Sequence, residues 1–159
     1  MRPEELIPLK EHWLFAELSI EDAERAVQGV REVQFRPGDV LVRQGEPSDG
    51  VFLVGAGSLH VSATNDRGAA FLNLIHAGEV LGEMGALDGE PRSATAMAVT
   101  DGVAYFIPAE MFHDLIKQSK EACYRLLMLL VARQRRTNER LMQLPPQGPV
   151  WRRTIQITP

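Results

Sequence analysis

The stretch Val-Phe-Leu-Val-Gly-Ala-Gly-Ser-Leu-His-Val-Ser-Ala, residues 51–63, decides the fold class. It contains two short runs of β-forming residues, 51–54 and 59–63, on either side of a glycine-rich turn. In the second run, apolar residues such as Leu59 and Val61 alternate with polar ones, which is the period-two pattern of a half-buried strand. The stretch therefore indicates two successive strands.

The same pattern extends from residue 35 to residue 108. Further β-rich runs lie at 40–42, 71–75 and 103–107, and turns rich in Gly, Pro, Asn and Asp separate them. No long helical pattern interrupts these runs, which argues against a doubly wound parallel sheet. We therefore predict a mainly β fold, an antiparallel β jelly roll with flanking helices.

Helical patterns lie on both sides of this β region. Residues 4 to about 34 are predicted to form short helices, one of them capped by Ser19. A short helix is predicted over 109–118, and a long one over 119–144 that is stopped by two prolines. The prediction is a single domain, residues 1–144, followed by a Pro-rich stop and a short tail over 145–159. For this tail, a docked strand and an unfolded segment both remain open.

The long helix carries a heptad seam, because seven of its residues are spaced alternately four and three apart. They are Cys123, Leu127, Leu130, Gln134, Thr137, Leu141 and Leu144. Other apolar residues lie off this seam, so the first half of the helix is apolar nearly all round and needs cover on two sides. We expect a parallel homodimer through residues 119–144. The alternative is a single helix buried in the core of a monomer.

Composition excludes several classes of protein. The chain has 159 residues, 45% of them apolar, and a formal net charge of −4, so electrostatics gives no case for nucleic-acid binding. A single cysteine rules out an internal disulfide and fits a reducing compartment. No apolar run approaches the roughly 20 residues needed to span a bilayer, and no signal peptide is apparent. We expect a soluble, cytoplasmic protein that does not interact with membranes.

The segment 78–94 has the strongest chemical signal in the chain. Two glycines precede a short helix-compatible piece, 83–87, and Arg92 follows after a turn. Amides at the start of a short helix, together with a guanidinium, form a cradle for an anion. Glu83 adds an acceptor suited to a sugar hydroxyl. We expect the guanidinium to be buried without a protein anion beside it. A ligand with one phosphate charge and a free ribose hydroxyl would satisfy these groups, whereas the simpler alternative is a surface Glu–Arg pair across a turn.

Four segments together resemble the cyclic nucleotide-binding domain, a family that includes the catabolite activator protein and the regulatory subunits of cyclic-AMP-dependent protein kinase. They are Arg-Pro-Gly-Asp-Val at 36–40, Gly-Glu-Pro-Ser-Asp at 45–49, the strand pair at 51–61, and Gly-Glu-Met-Gly-Ala-Leu followed by Pro-Arg-Ser-Ala-Thr-Ala within 82–96. The resemblance covers about residues 14–144. It implies a jelly roll with N-terminal helices, a short phosphate-binding helix and a long C-terminal dimerisation helix.

The resemblance also implies roles for individual residues in binding a cyclic nucleotide. Glu83, with the amide of Gly82, would hold the ribose 2′-hydroxyl. Arg92 would pair with the cyclic phosphate, helped by the Ser93 hydroxyl and the amides of Ser93 and Ala94. The expected ligand is cyclic AMP, with cyclic GMP left open because a hydroxyl at Ser93 suits either nucleotide.

Three further positions complete the implied site. Met84 would line the pocket near the sugar. Thr137 and Asn138 occupy positions where bacterial activators carry hydroxyl residues that contact the adenine amino group from paired helices. Gly85 stands where the family usually has alanine, and glycine weakens a helix by up to about 1 kcal/mol.

Three functions fit this chain to different degrees. The leading one is a cyclic nucleotide sensor that signals through its dimer helix to an unidentified protein partner. The alternative is a ligand-free structural or dimerisation module of the same fold. An enzyme of the cupin type needs clustered metal ligands, whereas the four histidines, His12, His60, His76 and His113, are scattered. We therefore expect no enzyme activity, no metal and no cofactor.

The residues after Pro149 are too few for a helix-turn-helix, so no direct DNA binding is expected.

Overall fold

Eight strands form two antiparallel sheets in the computed structural model, which describes residues 9, 11–15 and 17–143. The strands are β1 Arg31–Phe35, β2 Val40–Val42, β3 Gly50–Ala56, β4 Ser58–Asn65, β5 Gly68–His76, β6 Val80–Leu81, β7 Thr95–Ala98 and β8 Gly102–Pro108. One sheet has the strand order β1-β8-β3-β6 and the other β2-β7-β4-β5. All neighbouring strands pair antiparallel. The predicted antiparallel β architecture is confirmed.

Apolar side chains from both sheets fill the space between them. This core consists of Phe35, Val42, Phe52, Val54, Leu59, Val61, Ile75, Leu81, Ala96, Ala98, Ala104 and Phe106. The alternation read from the sequence is preserved, because Leu59 and Val61 are buried while His60 between them is half-exposed.

Strand β3 is buried on both of its faces, which explains its continuous apolar run. Phe52 and Val54 belong to the core between the sheets, and Val51 and Leu53 alternate with them and are also buried. Helix α3, residues Ala109–Gln118, contacts β3 and contributes the fully buried Phe112. The helices thus cover one sheet from outside.

Helix α1 spans Ile20–Gln28 and begins as predicted. The Ser19 hydroxyl oxygen accepts a hydrogen bond from the Asp22 amide at 3.1 Å, which caps the helix. The prediction of helices up to about residue 34 was wrong, because Arg31–Phe35 is strand β1 and pairs along its full length with β8. That partner lies about 70 residues away in the chain, so local helical spacing carried no sign of it.

The other helices match the predicted positions closely. Helix α2 spans Glu83–Asp88, and helix α4 spans Lys120–Met142. Ser119 caps α4 by accepting a hydrogen bond from the Ala122 amide at 2.9 Å, and its own hydroxyl donates to Glu17. The predicted helix end at Leu144 and the tail at 145–159 lie outside the described residues. Strand β6, only two residues long, was not predicted.

Contacts divide the chain into two compact units, Met1–Leu126 and Leu127–Pro159, and the division falls within α4. In the first unit, Ala122 and Leu126 are buried. In the second unit, Leu127 and Leu141 of the seam are 56% and 57% exposed. Cys123, Gln134 and Thr137 of the seam are also exposed.

Candidate ligand-binding site

The site is built around helix α2, which Gly82 introduces. Gly82 has a φ of +85°, in the left-handed region that favours glycine. A Cβ atom at Gly82 would lie 2.3 Å from Nη1 of Arg92, so glycine is needed for space as well as for conformation. Sequence positions 82 and 92 are therefore brought into direct contact.

Arg92 is buried, with only 6% of the residue exposed. Its Nη1 donates to the carbonyl oxygens of Gly50 at 2.7 Å and Gly82 at 3.2 Å. Its Nη2 donates to Asp49 Oδ1 at 3.1 Å. Burial lowers the pKa of Arg92, and the carboxylates of Asp49, Glu46 and Glu83 oppose that effect. The guanidinium stays charged because arginine is not deprotonated in proteins.

Asp49 corrects one sequence-based expectation. The cradle was expected to leave the guanidinium without a protein anion, but Asp49 forms an ion pair with Arg92. A buried guanidinium needs such compensation because desolvating an unpaired charge is costly. The Asp49 side chain itself is 72% exposed, so the pair lies at the surface end of the site. Asp49 and Gly50 were not predicted as site residues, and the adjacent Gly45–Asp49 signature was the only sequence sign of them.

Glu83, the first residue of α2, is also buried, with 3% of the residue exposed. Its negative charge acts on Arg92. Glu83 and Arg92, which carry opposite charges, are thus both buried. This excludes the simpler interpretation of a Glu–Arg pair on the surface.

The remaining predicted residues of this segment flank α2. The Ser93 hydroxyl lies 3.7 Å from the Met84 sulfur, and both residues are exposed. Ala94 is half-buried and packs against the core between the sheets. The structure therefore brings Gly82, Glu83, Met84, Arg92, Ser93 and Ala94 together.

Gly85, in the middle of α2, has a packing role that its helix propensity does not show. A Cβ atom there would lie 2.6 Å from the Glu90 carbonyl oxygen and 2.6 Å from Ser48 Cβ. The glycine expected to weaken the helix lets α2 approach the 45–49 loop closely.

An open cavity of about 750 Å³ lies on one side of Arg92. Its walls include Asp49, Glu46 and the rings of Phe52 and Phe106. Arg92 is the one residue of the predicted site among the described residues that line this cavity. Its size falls within the range of ligand pockets in proteins.

Thr137 and Asn138 belong to the second compact unit and are both exposed. The Thr137 hydroxyl donates to the Arg133 carbonyl oxygen at 3.1 Å, and Gln134 Nε2 donates to Asn138 Oδ1 at 3.0 Å. These described hydrogen bonds all lie within α4. The predicted contact of these two residues with a base stays a prediction.

Within residues 9, 11–15 and 17–143, no group of three His, Cys, Asp or Glu side chains is placed to hold a metal ion. Over the same residues, none of the helices has the length and apolarity needed to cross a bilayer.

Comparison with known proteins shows which family this chain is similar to. The sequence profile of the cyclic nucleotide-binding domain matches residues 32–119, from β1 to the residue before α4. An uncharacterised NTE family protein of Mycobacterium tuberculosis is 30% identical over 104 residues, which are 65% of this chain and 17% of that protein. The CRP-like cAMP-activated global transcriptional regulator of Mycobacterium tuberculosis is 26% identical over 116 residues, 72% of this chain and 52% of that protein.

Solved structures agree with the sequence comparison. The catabolite activator protein of Thermus thermophilus superposes with a TM-score of 0.66 and 29% identity, over 82% of this chain and 62% of that one. The chain thus spans less than two thirds of each of these three proteins. The profile match covers more than half of the chain and includes the entire segment around α2. The chain belongs to the cyclic nucleotide-binding domain family.

Proposed function

We propose that this chain is a cyclic nucleotide sensor that binds cyclic AMP beside α2 and is not itself an enzyme. The observation that carries the proposal is the arrangement of the Arg92 guanidinium. Within the described residues, its hydrogen bonds occupy three of the five N–H donors of an arginine. The other two remain for an anion, and a phosphate is an oxyanion that arginine often binds in a two-point contact.

The remaining groups match the other parts of such a ligand. Glu83 and the Gly82 amide are the partners we propose for the ribose 2′-hydroxyl. Ser93 and Ala94 follow Arg92 directly in the chain and would add a hydroxyl and two amides to the phosphate contact. The preference for cyclic AMP is supported by the name of the cAMP-activated transcriptional regulator among the similar proteins.

We further propose that the sensor is a parallel homodimer through α4. Its exposed apolar residues include Tyr124, Leu127, Met128 and Leu141, with 47–57% of each exposed. Covering such side chains with a second copy stabilises a helix pair by removing apolar surface from water. In this arrangement Thr137 and Asn138 would approach the base, and the helix pair would carry the signal to a protein partner. We propose that the protein is cytoplasmic, because an exposed free cysteine such as Cys123 is typical of a reducing compartment.

One observation favours a second function, a structural module that binds no ligand. Asp49 already gives Arg92 an anionic partner, which is what a phosphate would supply. If Asp49 fully compensates the guanidinium, the fold needs no ligand at this position. The large exposure of the Asp49 side chain argues against this second function, because solvent screens the charge of an exposed carboxylate.

Thermal unfolding with a panel of nucleotides separates these two functions. Cyclic AMP, cyclic GMP and 5′-AMP are each added to the wild-type chain, and the melting temperature is measured. At a concentration 100-fold above Kd, a bound ligand stabilises the folded state by about 2.7 kcal/mol, which raises Tm by roughly 5–10 °C for a chain of this size. We expect the largest rise with cyclic AMP and little with 5′-AMP. An unchanged Tm with both cyclic nucleotides at millimolar concentration would favour the structural module.

A further inference from the structure

The C-terminal end of helix α2 leaves a carbonyl oxygen unused by the helix itself. Gly89 closes the helix in a left-handed conformation, and its amide donates to the Gly85 carbonyl oxygen at 3.0 Å. The next amide, that of Glu90, donates instead to Asp88 Oδ1 at 2.9 Å. Since Glu90 would be the partner of Ala86 in a continuing helix, the Ala86 carbonyl oxygen needs a donor from elsewhere.

A side chain from another helix supplies that donor. His113, in the middle of α3, places its Nε2 2.7 Å from the Ala86 carbonyl oxygen. The carbonyl can only accept, so Nε2 carries the hydrogen in this contact. His113 is half-buried and lies 27 residues further along the chain, so the bond joins two separate elements.

The short helix depends on such external contacts. A helix of six residues has too few internal hydrogen bonds to be stable in isolation, so its position is set by its neighbours. At its start, Gly82 contacts Arg92. At its end, His113 holds Ala86. The buried Glu83 lies between these two attachments.

We propose that His113 is a positioning residue of the ligand site, which caps α2 from α3 and so fixes Glu83 for binding. This inference rests on the proposed function, because it assigns His113 an effect on cyclic nucleotide affinity. His113 contacts α2 at Ala86 and is not among the residues proposed to contact the ligand, so its effect is indirect.

Two substitutions separate the hydrogen bond from simple packing. His113→Leu replaces the imidazole with an apolar side chain that fills part of the same space but has no hydrogen-bond donor. His113→Gln keeps a side-chain N–H that can donate to the Ala86 carbonyl oxygen. His60→Leu, on β4 and stacked against Phe71, is the control for losing a histidine elsewhere. Calorimetry with cyclic AMP gives Kd, and hydrogen exchange of residues 83–89 without ligand reports the order of α2.

We expect His113→Leu to bind cyclic AMP about five-fold more weakly, the effect of one neutral hydrogen bond. The backbone amides of residues 83–89 should also exchange faster in this variant. His113→Gln should restore both the affinity and the slow exchange of the wild type. A His113→Leu variant that melts earlier but binds as tightly as the wild type would overturn the inference alone. No heat from the wild-type chain would overturn the proposed function and the inference together.

Discussion

At Gly85, packing overrides the intrinsic preference of the residue. Alanine is the better helix former, but here the Glu90 carbonyl oxygen and the Ser48 side chain occupy the space that its Cβ needs, at 2.6 Å. We expect Gly85→Ala to destabilise the fold by about 1–3 kcal/mol, the usual cost of overpacking. Urea denaturation of the two proteins measures the difference.

A second variant identifies the cause of that loss. Ser48→Gly removes one of the two obstacles, so the double variant Gly85→Ala/Ser48→Gly should recover part of the lost stability. If Gly85→Ala alone is as stable as the wild type, the close approach of α2 to the 45–49 loop described above is incorrect.

Distance along the chain decides which residues of the site the sequence could predict. Gly82, Glu83, Arg92 and Ser93 could be predicted as site residues because they stand in one short segment. Asp49 was missed because it lies 43 residues before Arg92, and only the fold brings the two together. A buried arginine implies a compensating partner, but composition and spacing do not say which carboxylate supplies it.

At the scale of elements, the N-terminal segment is attached to the turn before β6 by His12. Its Nε2 donates to the Gly78 carbonyl oxygen at 2.9 Å, and its Nδ1 accepts from the Leu14 amide at 3.3 Å. Protonation of Nδ1 would remove that acceptor. Burial lowers the pKa of His12 below its ordinary value of 6.5, and the hydrogen bond to Gly78 opposes this only in part.

This lowered pKa predicts a pH dependence of stability. The unfolded chain takes up a proton at His12 near pH 6.5, whereas the folded chain resists it, so the folded state loses stability as the pH falls below 6.5. The slope is at most about 1.4 kcal/mol per pH unit for one proton. Urea denaturation between pH 7.5 and 5.5 measures it.

His12→Gln should flatten the pH dependence, because glutamine does not titrate. His76→Gln, at an exposed histidine near the same turn, is the control and should leave the slope as it is in the wild type. Equal slopes in the wild type and His12→Gln would show that His12 is not the titrating group.

Elements with a strong local pattern were predicted well, and those defined by distant pairing were not. Ser19 and Ser119 gave clear signals for the start of a helix, and α1 and α4 begin directly after them. The local pattern of strand β1 wrongly predicts helix, because the pairing partner that makes it a strand, β8, is remote in sequence. Strand β6 has two residues, which is too short for a period of two to appear.

The exposed apolar seam of α4 predicts that the protein is a dimer. The seam residues Leu127 and Leu141 are exposed by more than half. We expect a dimer in sedimentation equilibrium, and a monomer after Leu127→Glu/Leu141→Glu, because the two new carboxylates would face their counterparts in the seam.

Ala132→Glu is the matched control, since position 132 lies on the side of α4 opposite the seam and the substitution introduces the same charge. It should remain a dimer. A wild-type chain that sediments as a monomer at high micromolar concentration would contradict the homodimer, as would a dimer unaffected by the seam substitutions.

Calorimetric titration of the wild type, Arg92→Lys and Arg43→Ala with cyclic AMP tests the central claim most directly. Arg92→Lys keeps the charge but not the two-point contact, and Arg43 is an arginine on the surface, with 62% of its side chain exposed. The account predicts measurable heat with the wild type and with Arg43→Ala. For Arg92→Lys it predicts an affinity at least about ten-fold lower, as expected for a charge-assisted contact. Equal affinity in all three proteins, or no heat from the wild type at millimolar cyclic AMP, would contradict it.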